Sequence, residues 1–199
     1  MTDAPVRRRG PGSRADDRHP TRRQLLDGAV TVADRVGLAD LSVAGVTAAA
    51  GVAKGTFYVH FPDRTALVVA MHERFHDELF DRIATATAQQ TAGLPRLRAR
   101  LVAFLDGCRD MPGVRSLLRD AHAEPAVRAQ VERRNAQAAG ALAGDLRAGA
   151  PTGHEAQTAR LLVAATVEAA AAELQAGRRL PALRRALVDL VRADPGLST

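Results

Sequence analysis

Two backbone-directing residues, Gly51 and Pro62, bracket the stretch that most limits how this chain can fold. Between them runs Val52-Ala53-Lys54-Gly55-Thr56-Phe57-Tyr58-Val59-His60-Phe61. As a helix, at about 100° per residue, it sorts into two faces. Phe57 and Phe61 stand four residues apart with Ala53 nearby, an apolar face that requires a core. Gly55 and Val59 hold the centre of the opposite face, flanked by Lys54 with Tyr58 on one side and Thr56 with His60 on the other. Upstream, Ser42 suits the cap of a second short helix carrying Val43, Val46 and Ala50, and Gly51 breaks that helix at a tight turn. The second of these two helices has donors on both flanks and no bulk at its crest. That is the stereochemistry of a helix-turn-helix whose second helix enters a DNA groove.

The core available to such helices is aliphatic. Of 199 residues 46% are hydrophobic but only 3% aromatic, and tryptophan is absent. Ala, Leu and Val must then fill the interior, which favours helices in close contact over a β-sandwich. No apolar run approaches the ~20 residues needed to span a bilayer, and the polar N-terminus lacks the apolar segment of a signal peptide. A single cysteine, Cys108, excludes an internal disulfide framework and fits a reducing, cytoplasmic location. The net charge is +6, yet residues 1–23 alone hold seven arginines against three aspartates, and residues 24–64 carry three basic and four acidic side chains. The segment expected to read DNA is therefore not basic in total. The argument for an anionic partner rests on side-chain arrangement, with Lys54 the only lysine and Tyr58 the only tyrosine of the chain.

Punctuation along the sequence divides it into three parts. Residues 1–19 lack periodicity and read as a disordered basic arm. Residues 20–66 hold the helix-turn-helix unit. Its first helix is expected to open on a capping box, Thr21 with Gln24, and to bury Leu25, Ala29, Val32, Ala33 and Val36 before Gly37 stops it. Pro62 ends the groove-entering helix, and Asp63 suits the cap of the next. Residues 67–199 form a helical body. Pro95, Pro125 and Pro181 fit first-turn positions, and Thr152-Gly153-His154-Glu155 fits a second capping box. The apolar stripes there include Leu97, Leu101, Phe104 and Cys108, and later Leu183, Leu187 and Leu190. The expected fold class is all-α, with about nine helices: three in the N-terminal unit and six in the body.

The chain resembles the TetR family of transcriptional regulators over roughly residues 20–67. The resemblance is carried by Leu41-Ser42-Val43, by Ala49-Ala50-Gly51-Val52, by Lys54-Gly55-Thr56-Phe57-Tyr58-Val59-His60-Phe61-Pro62, and by Ala66-Leu67. It implies that Ser42, Lys54, Gly55, Thr56, Tyr58, Val59, His60 and Arg64 form the DNA-binding set. Lys54 suits a phosphate or a guanine edge, Tyr58 a phosphate oxygen, and Thr56 with His60 the opposite wall of the groove. Gly55 lets the helix approach the bases, Val59 packs on a thymine methyl, and Arg64 matches a basic position at which family members often contact the DNA backbone. The chain departs from the family in having Ala53 where a serine usually caps the recognition helix. It also has Ala44 and Gly45 where the preceding helix often carries Arg or Lys. Both departures thin the contacts from that side.

Other chemical motifs compete poorly. His72-Glu73-Arg74-Phe75-His76 matches H-E-x-x-H, which sets two imidazoles at i,i+4 to hold zinc, with the glutamate as general base. A third protein ligand is needed, and Leu79 and Arg82 stand where the extended motif requires glycine and histidine. No acidic residue occurs between Asp81 and Asp106 to replace it. Cys108 lies on an apolar stripe and reads as a small buried hydrophobe. His122, between Asp120 and Glu124, fits either the surface or a pocket. No catalytic residue, cofactor or resident metal is expected.

Residues 161–172, Leu161 to Ala172, are apolar nearly all round, so that helix is expected to be buried on more than one side. Its small side chains permit close contact with a second copy, and a homodimer through about residues 154–192 is expected. The resemblance implies the same, together with an inverted-repeat operator on double-stranded DNA. It further implies a small-molecule ligand in the body that shifts the connecting helix, residues 63–90, and so changes the spacing of two recognition helices. Candidate ligand-binding residues, placed by helix position, are Phe80, Phe104, Met111, Leu118, His122 and Glu168. The expected function is a repressor released from its operator by such a ligand. The alternatives are a DNA-binding regulator without an effector and a zinc-dependent hydrolase using His72 and His76.

Overall fold

The computed structural model describes residues 19–111, 113, 117–118, 125–149 and 151–191. Residues 1–18 of the basic arm, His122 and the segment after residue 191 lie outside them. Among the described residues there are eight helices and no strand, close to the nine expected. The chain divides into two compact units, with the division between Met71 and His72.

In the first unit, α1 (Pro20–Val36) buries Leu25, Leu26, Ala29, Val32 and Ala33. The expected capping box is displaced. The helix opens two residues earlier, on Pro20, and His19 is the cap, its Nδ1 accepting from the Thr21 N–H at 3.2 Å. Proline is suited to that first position because its φ is already helical and it has no N–H to satisfy. Val36, expected on the apolar stripe, is instead 48% exposed at the helix end. α2 (Val43–Ala50) begins as expected, with the Ser42 hydroxyl accepting from Gly45 N–H at 3.1 Å. α1 and α2 approach closely at Gly28, where a Cβ would stand 3.0 Å from both the Val46 carbonyl and the Ala50 nitrogen. Gly51 then takes φ 67 and ψ 30, a left-handed setting open to glycine at little penalty. This turn leads into α3 (Lys54–His60). α4 (Arg64–Thr87) follows, with Asp63 Oδ1 accepting from Ala66 N–H at 2.8 Å, the cap expected from the sequence.

The second unit contains the later part of α4 together with α5 (Leu94–Asp110), α6 (Pro125–Gly149), α7 (Glu155–Ala176) and α8 (Pro181–Asp189). Pro95, Pro125 and Pro181 all occupy first turns. α7 packs on α5, α6 and α8. Half of its expected capping box is made, since Glu155 Oε1 accepts from the Thr152 and Gly153 N–H groups at 2.5 and 2.8 Å. The Thr152 hydroxyl, however, accepts from His154 N–H rather than from the third helical residue. α7 buries Ala159, Leu162, Val163, Thr166, Ala169, Ala170 and Glu173. In the single chain its remaining face is open: Arg160, Ala164 and Glu168 are exposed, and Leu161 is 73% exposed.

Aliphatic packing in this unit is pinned by two ion clusters. Glu173 of α7, fully buried, accepts from Arg184 Nε and Nη2 of α8 at 2.7 and 2.6 Å and from the Leu180 N–H at 2.8 Å. Arg184 Nη1 also reaches Asp106 of α5 at 2.7 Å, so three helices share one network. Asp145 of α6, likewise fully buried, meets Arg96 at 2.6 Å and Arg100 at 3.1 Å, both on α5. Low-dielectric surroundings strengthen such pairs but penalise any member left alone.

Glu173→Ala is therefore expected to destabilise the second unit by about 3 kcal/mol in urea unfolding, because it leaves a largely buried guanidinium and the Leu180 N–H without their main acceptor, with only Asp106 still on Arg184. The Arg184 hydrogen bonds, followed by that from Leu180, hold the Glu173 carboxyl below its ordinary value of 4.5. Its stabilisation is complete above that value and is lost as pH falls through the lowered one. Glu173→Gln should accordingly flatten the acid limb of the stability profile.

Candidate nucleic-acid interface and body cavity

Packing of two aromatic rings orients α3. Phe57 and Phe61 are both buried, with ring centroids 5.6 Å apart, and Tyr58 meets the Phe57 ring edge-on at 5.3 Å. With that face inward, the opposite face carries Lys54, Gly55, Tyr58 and Val59 into solvent. Val59 is 77% exposed and Tyr58 52%. A Cβ built on Gly55 would have no neighbour within 4 Å, so the protein's own packing gives no reason for glycine there.

The two flanks are not equivalent. Lys54 and Tyr58 are exposed, whereas Thr56 and His60 are half-buried. The His60 carbonyl accepts from Arg22 Nη1 at 3.2 Å, its ring lies 4.8 Å from that of His19, and the Arg22 guanidinium stands 4.2 Å above the Phe61 ring. The C-terminal end of α3 is thus braced by residues at the start of α1. Ser42 is exposed, but its oxygen already serves as the α2 cap, which leaves the O–H as a donor. Arg64 donates from Nε to the Leu41 carbonyl at 2.8 Å and from Nη2 to the Leu38 carbonyl. Its guanidinium clamps the loop before α2, a role not visible in sequence because it spans more than twenty residues.

In the second unit, α4, α5, α6 and α7 line a half-open cavity of about 220 Å³. Phe80 and Phe104 line it. Met111 is buried away from the lining, Leu118 is half-buried and also off it, and Glu168 points outward on the exposed face of α7. Helix register alone suggests those three positions, and register does not say which face of a helix meets a void. The cavity instead takes in His76, Arg100 and Arg134, which no local pattern assigns to it.

His76 is buried, with 6% of its surface accessible, and its Nδ1 has no hydrogen-bond partner. Burial, followed by the charges of His72 and Arg134, pushes its pKa down to about 3, so the ring is neutral at physiological pH. An unpaired buried ring nitrogen costs about 1–3 kcal/mol. The apolar stripe of α4 carries this imidazole inward beside Phe80, with ring centroids 6.0 Å apart. The His72 and His76 rings lie 6.4 Å apart, and among the described residues no group of three His, Cys, Asp or Glu side chains is placed to hold a metal ion.

Residues 25–71 match the bacterial regulatory proteins of the tetR family. The fold is that of solved regulators. A TetR-like transcriptional regulator from Rhodococcus sp. is 22% identical, with a TM-score of 0.70 over 86% of this chain and 93% of that one. The fatty acid degradation regulator FadR from Bacillus halodurans is 18% identical, with a TM-score of 0.74 over 90% and 98%. FadR from Bacillus subtilis, solved in complex with stearoyl-CoA, is 17% identical, with a TM-score of 0.73 over 86% and 97%.

Arg64→Met removes the donors of two loop carbonyls and is expected to lower the stability of the first unit by about 1–3 kcal/mol without DNA present. Urea titration followed by circular dichroism reads this. Unchanged stability would mean that the clamp is incidental.

Proposed function

We propose that this chain, whose helix-turn-helix unit is that of the tetR family of bacterial regulators, is a dimeric repressor that leaves an inverted-repeat operator when a small molecule occupies the cavity of its helical body. The observation that carries the DNA-binding part is the crest of α3, where Gly55 and Val59 stand exposed opposite two buried phenylalanines. An exposed β-branched side chain gains nothing for folding, and a glycine with open space around it answers to no internal neighbour. Both suit a helix that is laid against base edges, with Val59 on a thymine methyl and Lys54 and Tyr58 on one groove wall. Thr56 and His60 are more recessed, and Ser42 reaches the backbone through its remaining donor.

Dimerisation through about residues 154–192 is supported by apolar surface on the last two helices. Leu161 of α7 and Leu183 of α8 are exposed, as is Leu190 just beyond α8. Large apolar side chains left exposed on two successive helices suit an interface with a second copy. Two recognition helices would then fit major grooves about one turn, ~34 Å, apart. The stearoyl-CoA complex of the Bacillus subtilis neighbour supports ligand control. At about 220 Å³ the cavity here lies below the ~300–1,000 Å³ typical of drug-sized sites, which favours a much smaller effector than a long acyl thioester. Such an effector acts only through different affinity for the two states of the protein.

Selection of bound sequences from a random DNA pool tests the reading, with an inverted repeat as the expected product. Recovery of no enriched sequence would overturn it. On the selected operator, Tyr58→Phe should weaken cognate and scrambled DNA alike if its hydroxyl holds phosphate. Lys54→Ala should reduce the magnitude of the salt slope by about one for each phosphate that Lys54 neutralises.

Val59 gives a sharper test. Replacing the contacted thymine by uracil removes one methyl and should weaken wild-type binding by about 1 kcal/mol. Val59→Ala should erase most of that difference. A uracil scan with no Val59-dependent position would rule out the methyl contact.

A further inference from the structure

The charged groups of the cavity are of one sign, set beside the neutral polar side chains of His76, Asn135, Gln137 and Thr166. Among the described lining residues there are two arginines, Arg100 and Arg134, and no aspartate or glutamate. Each guanidinium has a carboxylate partner outside the lining, but neither is fully matched. Arg100 shares Asp145 with Arg96, so one carboxylate faces two cations. Arg134 meets Asp77 at 2.5 Å and donates from Nη1 to Gln137 Oε1 at 3.4 Å, and the aspartate side chain is 62% exposed, so water screens that end of the pair. The Arg134 guanidinium also lies 5.8 Å from the centroid of the Phe80 ring that lines the cavity. His76, close enough to Arg134 to feel its charge, keeps a buried Nδ1 without a partner. Around these groups the wall is apolar: Phe80, Leu101, Phe104, Leu142 and Val163.

We propose that the cavity binds a monocyclic carboxylate, its ring among Phe80, Phe104 and Val163 and its carboxylate between Arg134 and His76. This deepens the reading above and rests on it, since it takes the cavity as the effector site. Size supports the single ring. An apolar cavity of about 150 Å³ accommodates benzene, and about 220 Å³ leaves room for short substituents. Charge supports the carboxylate, because an anion on the cavity side of Arg134 gains a charge-assisted hydrogen bond in surroundings less exposed to water than those of Asp77. His76 stays neutral in its buried setting, so it serves as a hydrogen-bonding group and the positive charge at this end comes from Arg134. A neutral imidazole has one N–H to give and one nitrogen to accept, which suits a carboxylate once the donor tautomer turns toward it.

The test uses three probes of one shape, 4-ethylbenzoate, 4-ethylbenzamide and 1,4-diethylbenzene, with the full-length protein. Calorimetric binding and operator release are measured for each. In wild type, 4-ethylbenzoate should bind about tenfold or more tightly than the amide, the difference between a charged and a neutral hydrogen-bond partner. Arg134→Met should abolish that preference while leaving diethylbenzene affinity unchanged. Asp77→Asn alters an exposed residue, frees Arg134 from its competitor and should tighten 4-ethylbenzoate several-fold without affecting the amide. A purely structural role for the Arg134–Asp77 pair would weaken all three probes in both variants. Equal binding of benzoate and amide in wild type, or a preference that survives Arg134→Met, would overturn the carboxylate assignment. If diethylbenzene or the amide then released operator, the effector reading would stand without it. If no probe bound, the assignment would fall, and operator selection would still judge the DNA-binding function by itself.

Discussion

Burial of Phe57 and Phe61 side by side gives α3 a single rotational setting, and the surface chemistry of the first unit depends on it. A seven-residue helix has too few internal hydrogen bonds to persist alone. Two aromatic anchors, the left-handed turn at Gly51 and the Arg22 contacts at its C-terminal end supply what the helix lacks. Once the rings are inward, Gly55 and Val59 must face out. The side chains proposed to read DNA are thus positioned by residues that face away from it.

The second unit solves a different problem. Its interior is rich in Ala, Leu and Val, and small side chains bring helices close without specifying one register among several. Register is supplied by charge. Glu173 accepts bonds from both the side chain of Arg184 and the backbone of Leu180, and Asp106 holds the same arginine from α5. Only one placement of α8 satisfies all of them. Asp145 acts alike between α5 and α6. These buried pairs need not raise stability over an apolar core, but they give the helices one arrangement. The surface left open on α7, which includes Leu161, then has a constant shape.

His76 connects these themes. Its spacing from His72 imitates a metal motif, yet packing turns it into the wall of a cavity beside Phe80. Desolvation keeps it neutral, and the arginine next to it comes from α6, nearly sixty residues away. A site assembled from four helices in this way has no local signature.

What the sequence by itself determined was the local grammar. Ser42, Gly51, Pro62 and Asp63 act within a turn of themselves, so their capping and breaking roles were legible, as was the inward face of α3 from its helical period. Proline at the starts of α5, α6 and α8 followed from its missing N–H. The capping box at Thr21 failed by two residues because Pro20 and His19 offered a competing start. Tertiary structure alone decided that Arg64 clamps the Leu38 and Leu41 carbonyls and that Glu173 pairs with Arg184. It also decided that Phe80 and Phe104 share a void from which Met111, Leu118 and Glu168 are excluded. Helical periodicity says which residues share a face, but not what that face meets. That depends on crossing angles and on where small side chains leave a gap, properties of several helices together.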